Sequence, residues 1–332
     1  MGYFLAGDLG GTKTILALYE SDGDGVTLLR EQRFASGAQG GFDEILAVFL
    51  RECPVRPYAA AFGVAGPVLG GQAKITNLGW LLDEEAIRQR FGFSQVVLLN
   101  DLVAIAWALP ALEAGDIFVL NGGFPDPAGS MAVIAPGTGL GEAYLCWDGT
   151  GHRPFASEGG HADFAPAGSE ERELLAFLHD SYGHVSCELV CSGTGIPNIF
   201  RYLTEGAGMR VASNVAEELA GAADPAPVLV RHALAGDCPV SGRVLQMFLA
   251  VLAAEAGNMA IRLLATGGVF LGGGILPRLL PLLDAAAFMA RFSDKGRMAA
   301  ILAAMPVRLI MTEKAGLRGA SLVAHRVLRG GV

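Results

Sequence analysis

The chain has 332 residues, 33 acidic against 24 basic, for a formal net charge of −9. With 52 % hydrophobic residues it can bury a large core, so disorder is excluded, and the absence of a Gly-X-Y period excludes collagen. Its 46 glycines are about twice the ordinary share, which points to unusual backbone conformations or to backbone that approaches a ligand closely.

The acidic balance argues against a nucleic-acid partner, because no basic run exceeds two residues. Five cysteines, Cys53, Cys146, Cys187, Cys191 and Cys238, are too sparse and uneven for a disulfide framework. Asp8 interrupts the N-terminal apolar stretch, so no signal core is expected there. The apolar run Leu263 to Leu276 is too short and Gly-rich to cross a bilayer. A cytoplasmic protein without membrane or nucleic-acid partners is the expectation.

Tyr3 to Asp8 reads as a strand that ends in a carboxylate. Gly10-Gly11-Thr12-Lys13 is a tight turn, and Thr14 to Tyr19 a return strand. The spacing of Phe42, Ile45, Leu46, Phe49 and Leu50 predicts a helix. Ala59 to Val64 and Gln95 to Leu99 read as strands, Asp83 to Phe91 and Leu102 to Leu109 as helices. The second half repeats the theme: Ser130 to Ala135 is a strand, Pro136 to Gly141 a Gly turn and Glu142 to Trp147 a return strand. Helices follow at Ser169 to Tyr182, Gly195 to Leu203, Ala226 to Ala235 and Ser241 to Thr266, with Gly206 to Pro227 as a surface excursion. The strand Gly268 to Leu271 runs into Gly272-Gly273-Gly274, then come a strand at Val307 to Met311 and a helix at Gly319 to Arg329. This mixture predicts an α/β protein of two related lobes, residues 1–110 with 313–332 and residues 111–312, with a ligand in the cleft between them.

Three Gly-rich turns each follow an apolar strand. Such turns either serve a hairpin that needs positive φ or converge backbone N–H groups on an anion. Thr12 and Thr138 add hydroxyls, and Asp8 stands where a carboxylate would hold a hydrated Mg²⁺ near phosphate oxygens. The P-loop pattern is absent, since Lys13 follows Thr12 rather than glycine, and Gly137-Thr138-Gly139-Leu140-Gly141-Glu142 misses the last glycine of a dinucleotide fingerprint. Asp101, at a strand end, suits either a general base or a helix N-cap. Glu158-Gly159-Gly160-His161 places an acceptor and an imidazole on one uncovered loop, suited to hydroxyl recognition or to plain surface polarity. His184, Cys187 and Cys191 have a superficial zinc spacing but lack a partner pair.

Asp8-x-Gly10-Gly11-Thr12, Pro136 to Gly141 and Gly267 to Gly274 resemble, in order, the two phosphate motifs and the adenosine motif of the sugar kinase/actin/heat-shock-70 superfamily. Thr76-Asn77-Leu78-x-Trp80, Leu99-Asn100-Asp101, Glu158-Gly159-Gly160-His161-x-Asp163-Phe164-Ala165-Pro166 and Gly183-His184-Val185-Ser186-x-Glu188 narrow the resemblance to bacterial glucokinases of the non-ROK type, from about Phe4 to the C-terminal helix. Lys13 stands where some of them have Asn. The resemblance implies a two-lobed, actin-like ATPase (ribonuclease H-like) fold with its active site in the interlobe cleft. It implies ATP and Mg²⁺ as cofactors, ATP-dependent phosphorylation of glucose feeding glycolysis, and a homodimer. Asn77, Asn100, Asp101, Glu158, His161 and Glu188 are then expected to bind sugar, with Asp101 the base. Asp8, Gly10, Gly11, Thr12, Lys13, Gly137, Thr138, Gly139, Gly272, Gly273 and Gly274 are expected to bind nucleotide, with Asp8 holding Mg²⁺ through water. Another hexose, another phosphate donor, a sugar sensor and an actin-like ATPase are the competing functions.

Overall fold

A computed structural model describes residues 2–23, 25–38, 40–75 and 78–331. The chain forms two compact units: Met1–Glu113 with Arg153–Ala156 and Thr312–Val332, and Ala114–His152 with Ser157–Met311.

In unit 1, β1 (Gly2–Leu9) and β2 (Lys13–Asp22) form a hairpin, and β3 (Gly25–Ala35) extends it antiparallel. α1 (Phe42–Arg51) leads to β4 (Ala59–Val64), which pairs parallel with β1. A small antiparallel sheet of β5 (Val68–Leu69), β6 (Gln72–Ile75) and β7 (Trp80–Asp83) precedes α2 (Glu84–Phe91), which Asp83 caps by accepting from Ala86 N. β8 (Gln95–Asn100) completes the sheet order β3-β2-β1-β4-β8 and runs directly into α3 (Asp101–Ala108). β1 is apolar without alternation because both of its faces are covered. Leu5 and Leu9 join the α1 core with Ile45, Leu46 and Phe49. Phe4 and Ala6 pack instead with residues of the C-terminal helix, such as Val323 and Leu317.

Unit 2 opens with β9 (Ile117–Asn121) and the hairpin of β10 (Met131–Pro136) and β11 (Leu140–Trp147); β12 (His152–Ser157), of which Arg153–Ala156 count with unit 1, comes next in the chain. Five helices follow: α4 (Ser169–Tyr182), α5 (Gly195–Arg201), α6 (Ser213–Gly221), α7 (Pro225–Ala235) and α8 (Pro239–Leu263). β13 (Gly268–Leu271) pairs parallel with β10 and with β14 (Val307–Ile310), which β9 joins antiparallel. α9 (Leu276–Leu279), α10 (Ala285–Ser293) and α11 (Ala299–Ala303) lie between β13 and β14. α12 (Ala315–Leu328) closes the chain in unit 1. The order β11-β10-β13-β14 repeats β2-β1-β4-β8: a hairpin followed by two parallel strands. The paired Gly/Thr hairpins of the sequence are therefore the matching starts of two α/β units.

Several elements differ from expectation. β3 and β9 have no buried face: most of β3 is exposed, and edge strands do not need one. The strands of the β5–β7 sheet, two to four residues long, are too short to read as a period, although Ala73, Ile75, Trp80 and Leu82 are buried in the unit 1 core. The excursion Gly206 to Pro227 contains α6, whose Val215 is buried in the unit 2 core. The C-terminal helix starts at Ala315 rather than Gly319. Among the described residues, one helix, Pro239–Leu263, is long and apolar enough to cross a bilayer by length and composition, a stretch not singled out as a span from the sequence. Most of that helix is buried, with Val244, Phe248 and Leu252 fully enclosed, and it is the core helix of unit 2.

Candidate active site

In unit 1, Asp8 stands one residue before the end of β1, opposite Ile15 in the hairpin and Gly63 in β4. Alternation puts its side chain on the α12 face with Phe4 and Ala6. Gly316, in the first turn of α12, lies so near that a Cβ there would sit 3.2 Å from the carboxyl. Burial pushes the Asp8 carboxyl up to about 6, with Lys13 opposing. The Lys13 ammonium is itself drawn to Glu313 at 2.9 Å. A desolvated carboxylate whose neighbouring cation is shared in this way fits a hydrated divalent ion, which would favour its charged form. The turn after it is closed by Gly10 N donating to Lys13 O at 2.9 Å and is braced by Ser36, whose hydroxyl donates to Gly10 O at 2.7 Å. Gly11 and Thr12 are exposed.

Asn100 and Asp101 form the junction of β8 and α3. Asn100 is the N-cap, its Oδ1 accepting from Leu102 N at 2.9 Å and Val103 N at 3.3 Å, while its Nδ2 donates to Gly66 O at 3.2 Å. The cap role open to Asp101 from sequence thus belongs to the residue before it. Asp101 is the first helical residue, with Oδ1 accepting from Leu102 N at 2.9 Å. A carboxylate in the first turn of a helix is favoured by the exposed N–H groups and fixed in direction by them. Asn77 lies outside the described residues.

In unit 2, the Gly137–Gly139 turn follows β10 and the Gly272–Gly274 turn follows β13. Because those strands are parallel neighbours, both turns lie at the same carboxyl edge, the place where open α/β sheets bind ligands. They touch: a Cβ on Gly273 would collide with Pro136 O. Among the glycines expected to bind nucleotide in this unit, only Gly273 has positive φ, at 86°. Gly137, Gly139, Gly272 and Gly274 are therefore not required as glycines by a positive φ. A Cβ on Gly274 would meet nothing within 4 Å, and one on Gly137 would meet only Gly139 O at 4.0 Å. These two open onto space, as a surface that a ligand's phosphates or sugar could approach must.

Glu158, the turn Gly159–His161 and Glu188 are gathered around Leu140. Glu188 Oε2 accepts from Leu140 N at 2.9 Å and lies where a Cβ of Gly139 would fall. Gly160 presses on Leu140 O so closely that a side chain has no room. Cys187 N donates to Ala162 O and Phe164 N to Val185 O, each at 2.9 Å, which ties the His161 segment to the Glu188 segment. His161 and Glu158 are exposed and Glu188 is half-buried. His184 is taken up by Asp163 at 2.9 Å, and among the described residues no cluster could hold a metal ion. One part of the site escaped the sequence reading. Gly193 N donates to Gly137 O at 2.7 Å and Thr194 Oγ1 to Thr138 O at 3.2 Å, so Gly193-Thr194-Gly195 holds the Gly137–Gly139 turn. Its string copies Gly137-Thr138-Gly139, a signal present in the sequence.

Known proteins resemble this chain. A family model for glucokinase matches residues 5–327. A Nostoc glucokinase is 39 % identical over 342 aligned positions that cover 98 % of this chain and 100 % of the relative. The crystal structure of a glucokinase from an Antarctic psychrotroph is 32 % identical, with a TM-score of 0.86 over 98 % of this chain and 99 % of that one. Balamuthia mandrillaris glucokinase in complex with glucose shares the fold, with a TM-score of 0.78 at 23 % identity over 98 % of this chain and 94 % of that one. The match over nearly the whole length, by family model and by a relative at 39 % identity, places this chain in the glucokinase family.

Proposed function

We propose that this protein transfers the γ-phosphoryl group of ATP to the 6-hydroxyl of glucose, with Asp101 as general base. The observation that carries this reading is the bond from Leu140 N to Glu188 Oε2, because it ties a sugar-binding carboxylate to the phosphate turn itself. Asp101 accepts the hydroxyl proton as the sugar oxygen attacks the γ-phosphorus and the bond to the ADP oxygen breaks. Its anchored Oδ1 keeps the carboxylate aimed without a side-chain rearrangement. Glu158, His161, Glu188 and Asn77 pair with the remaining sugar hydroxyls, and Asn100 offers its second amide hydrogen. Such a polar set discriminates by hydroxyl geometry, since a missing hydroxyl leaves a site group unpaired.

Backbone N–H groups of Gly10, Gly11 and Thr12, with Lys13 beside them, and of Gly137, Thr138 and Gly139 cradle the phosphates, and Gly272, Gly273 and Gly274 take the adenosine. Asp8 would hold Mg²⁺ through water, and the ion supplies charge neutralisation on the phosphates. The protein acts in the cytoplasm as a homodimer, feeding glycolysis. A coupled assay with a panel of donors and sugars tests the reading. ATP, Mg²⁺ and glucose are expected to give ADP and glucose 6-phosphate one for one. ATP hydrolysis that ignores glucose overturns it in favour of an ATPase, and preference for another sugar or donor reassigns the substrate.

A further inference from the structure

Behind the sugar segments of unit 2 lie two buried carboxyls that the reaction does not use. Glu142, on β11, is 3 % exposed, and its Oε1 is buried with no hydrogen-bond partner. The other oxygen is pressed against the sugar loop: a Cβ on Gly159 would fall on Glu142 Oε2. Glu255, in the middle of α8, is also 3 % exposed. It accepts from Asn258 Nδ2 at 2.9 Å, Arg262 Nη1 at 3.0 Å and the Cys187 thiol at 3.4 Å. Cys187 adjoins Glu188 and donates its backbone N–H to Ala162 O. One carboxyl thus backs Gly159 and the other backs the turn that carries Glu188.

The two are not equivalent. Glu255 has a guanidinium and an amide to answer its charge, whereas Glu142 has an orphaned oxygen, and a buried anion without a partner is strongly disfavoured. We propose that Glu142 is a positioning residue for glucose binding, which holds the Gly159–His161 loop in place as a neutral acid and loosens it on ionising. This rests on the reading that Glu158, His161 and Glu188 bind the sugar. When Glu142 gives up its proton to solvent, the new charge needs water. The nearest cover that can yield is Gly159-Gly160, which has no side chains to pack, and its displacement carries Glu158 and His161 with it.

The surroundings agree. Burial, and then the Glu255 charge, push the Glu142 carboxyl up to about 7, with Arg262 opposing. The other titratable neighbours are Cys187 and Cys191, whose thiols are pushed up by burial and by these same carboxyls and therefore stay neutral. Since the raised group favours its protonated form in the folded chain, its contribution to stability and loop order falls as pH rises through about 7.

The test is KM for glucose from pH 6 to 8.5 in wild type, Glu142→Gln, Glu255→Gln and His161→Ala. Wild-type KM is expected to climb severalfold above about pH 7 while KM for ATP does not share the climb. E142Q, which cannot ionise, should lack it. E255Q, by removing a repelling charge, should move the climb to lower pH, and it alone decides the matter should E142Q fail to fold. A flat wild-type profile, an E142Q profile that tracks wild type, or an unmoved climb in E255Q overturns the proposal. H161A should raise KM at every pH. If it does so while E142Q tracks wild type, only the role of Glu142 falls. If H161A keeps wild-type KM, the sugar-site reading falls and this proposal falls with it.

Discussion

Asp101 is the first residue of a helix, and the backbone N–H that follows it helps to fix the direction of its carboxylate. The strand β8 ends, Asn100 caps, and the next carboxylate is held against Leu102 N. Asp101→Asn keeps the shape and the backbone bond but removes the proton acceptor. It is expected to lower kcat by about 10²–10⁴-fold, the usual worth of a positioned base, with glucose affinity retained in equilibrium titration. Turnover near wild type would remove Asp101 from the role of base. The pair Asn100-Asp101 was legible as a polar junction between strand and helix, but which of the two caps the helix was not. Both residue types cap helices well, and only the backbone conformation at position 100 decides which one does. Glu142 was not legible at all, since a glutamate in a return strand reads as an ordinary solvent-facing residue until its neighbours are placed.

Among elements, the position of α3 depends on a seam of small residues. A Cβ on Gly63 of β4 would approach Ala104 of α3 to 3.0 Å, and one on Gly319 of α12 would collide with the Ala104 carbonyl. α3 is thus clasped between strand and C-terminal helix, and Asp101 is carried on its first turn. Gly319→Ala would raise helix propensity by about 1 kcal/mol on its own. Overpacking at the crossing should outweigh this and cost about 1–3 kcal/mol, read as a lower urea midpoint together with a lower kcat. A higher midpoint would show that the two helices can part without penalty. The central strands and long helices were readable from sequence because they bury a whole face or more. The edge strands β3 and β9 were not, because their residues answer to hydrogen bonding with a neighbour rather than to a hydrophobic period. The β5–β7 sheet was not, because strands of two to four residues are too short to show one, even though alternate residues of β6 and β7 are buried.

At the scale of the molecule, each unit has a core of its own. Phe49 and Phe62 anchor the first, and α8, with Phe248 fully buried, anchors the second. Phe248→Ala should cost about 3–5 kcal/mol, and amide hydrogen exchange should show protection lost in β10, β13 and α8 while β1 and β4 keep theirs. Equal loss in both units would mean that they unfold as one cooperative block. The order of motifs along the chain was enough to indicate an α/β fold with a repeated hairpin, and to name the family, because the glycine turns and the Glu-Gly-Gly-His string are each contiguous in sequence. The expectation placed on the turns was also local: backbone N–H groups and a nearby carboxylate suggest an anion site without reference to any distant residue. What only the tertiary structure decided is what stands behind those turns. The lock of Gly193-Thr194 on Gly137-Thr138, the bond of Glu188 to Leu140 and the buried Glu142 under Gly159 join positions that are far apart in sequence. Burial, close approach and the loss of solvent from a charge are properties of such neighbourhoods, and no spacing along a chain encodes them.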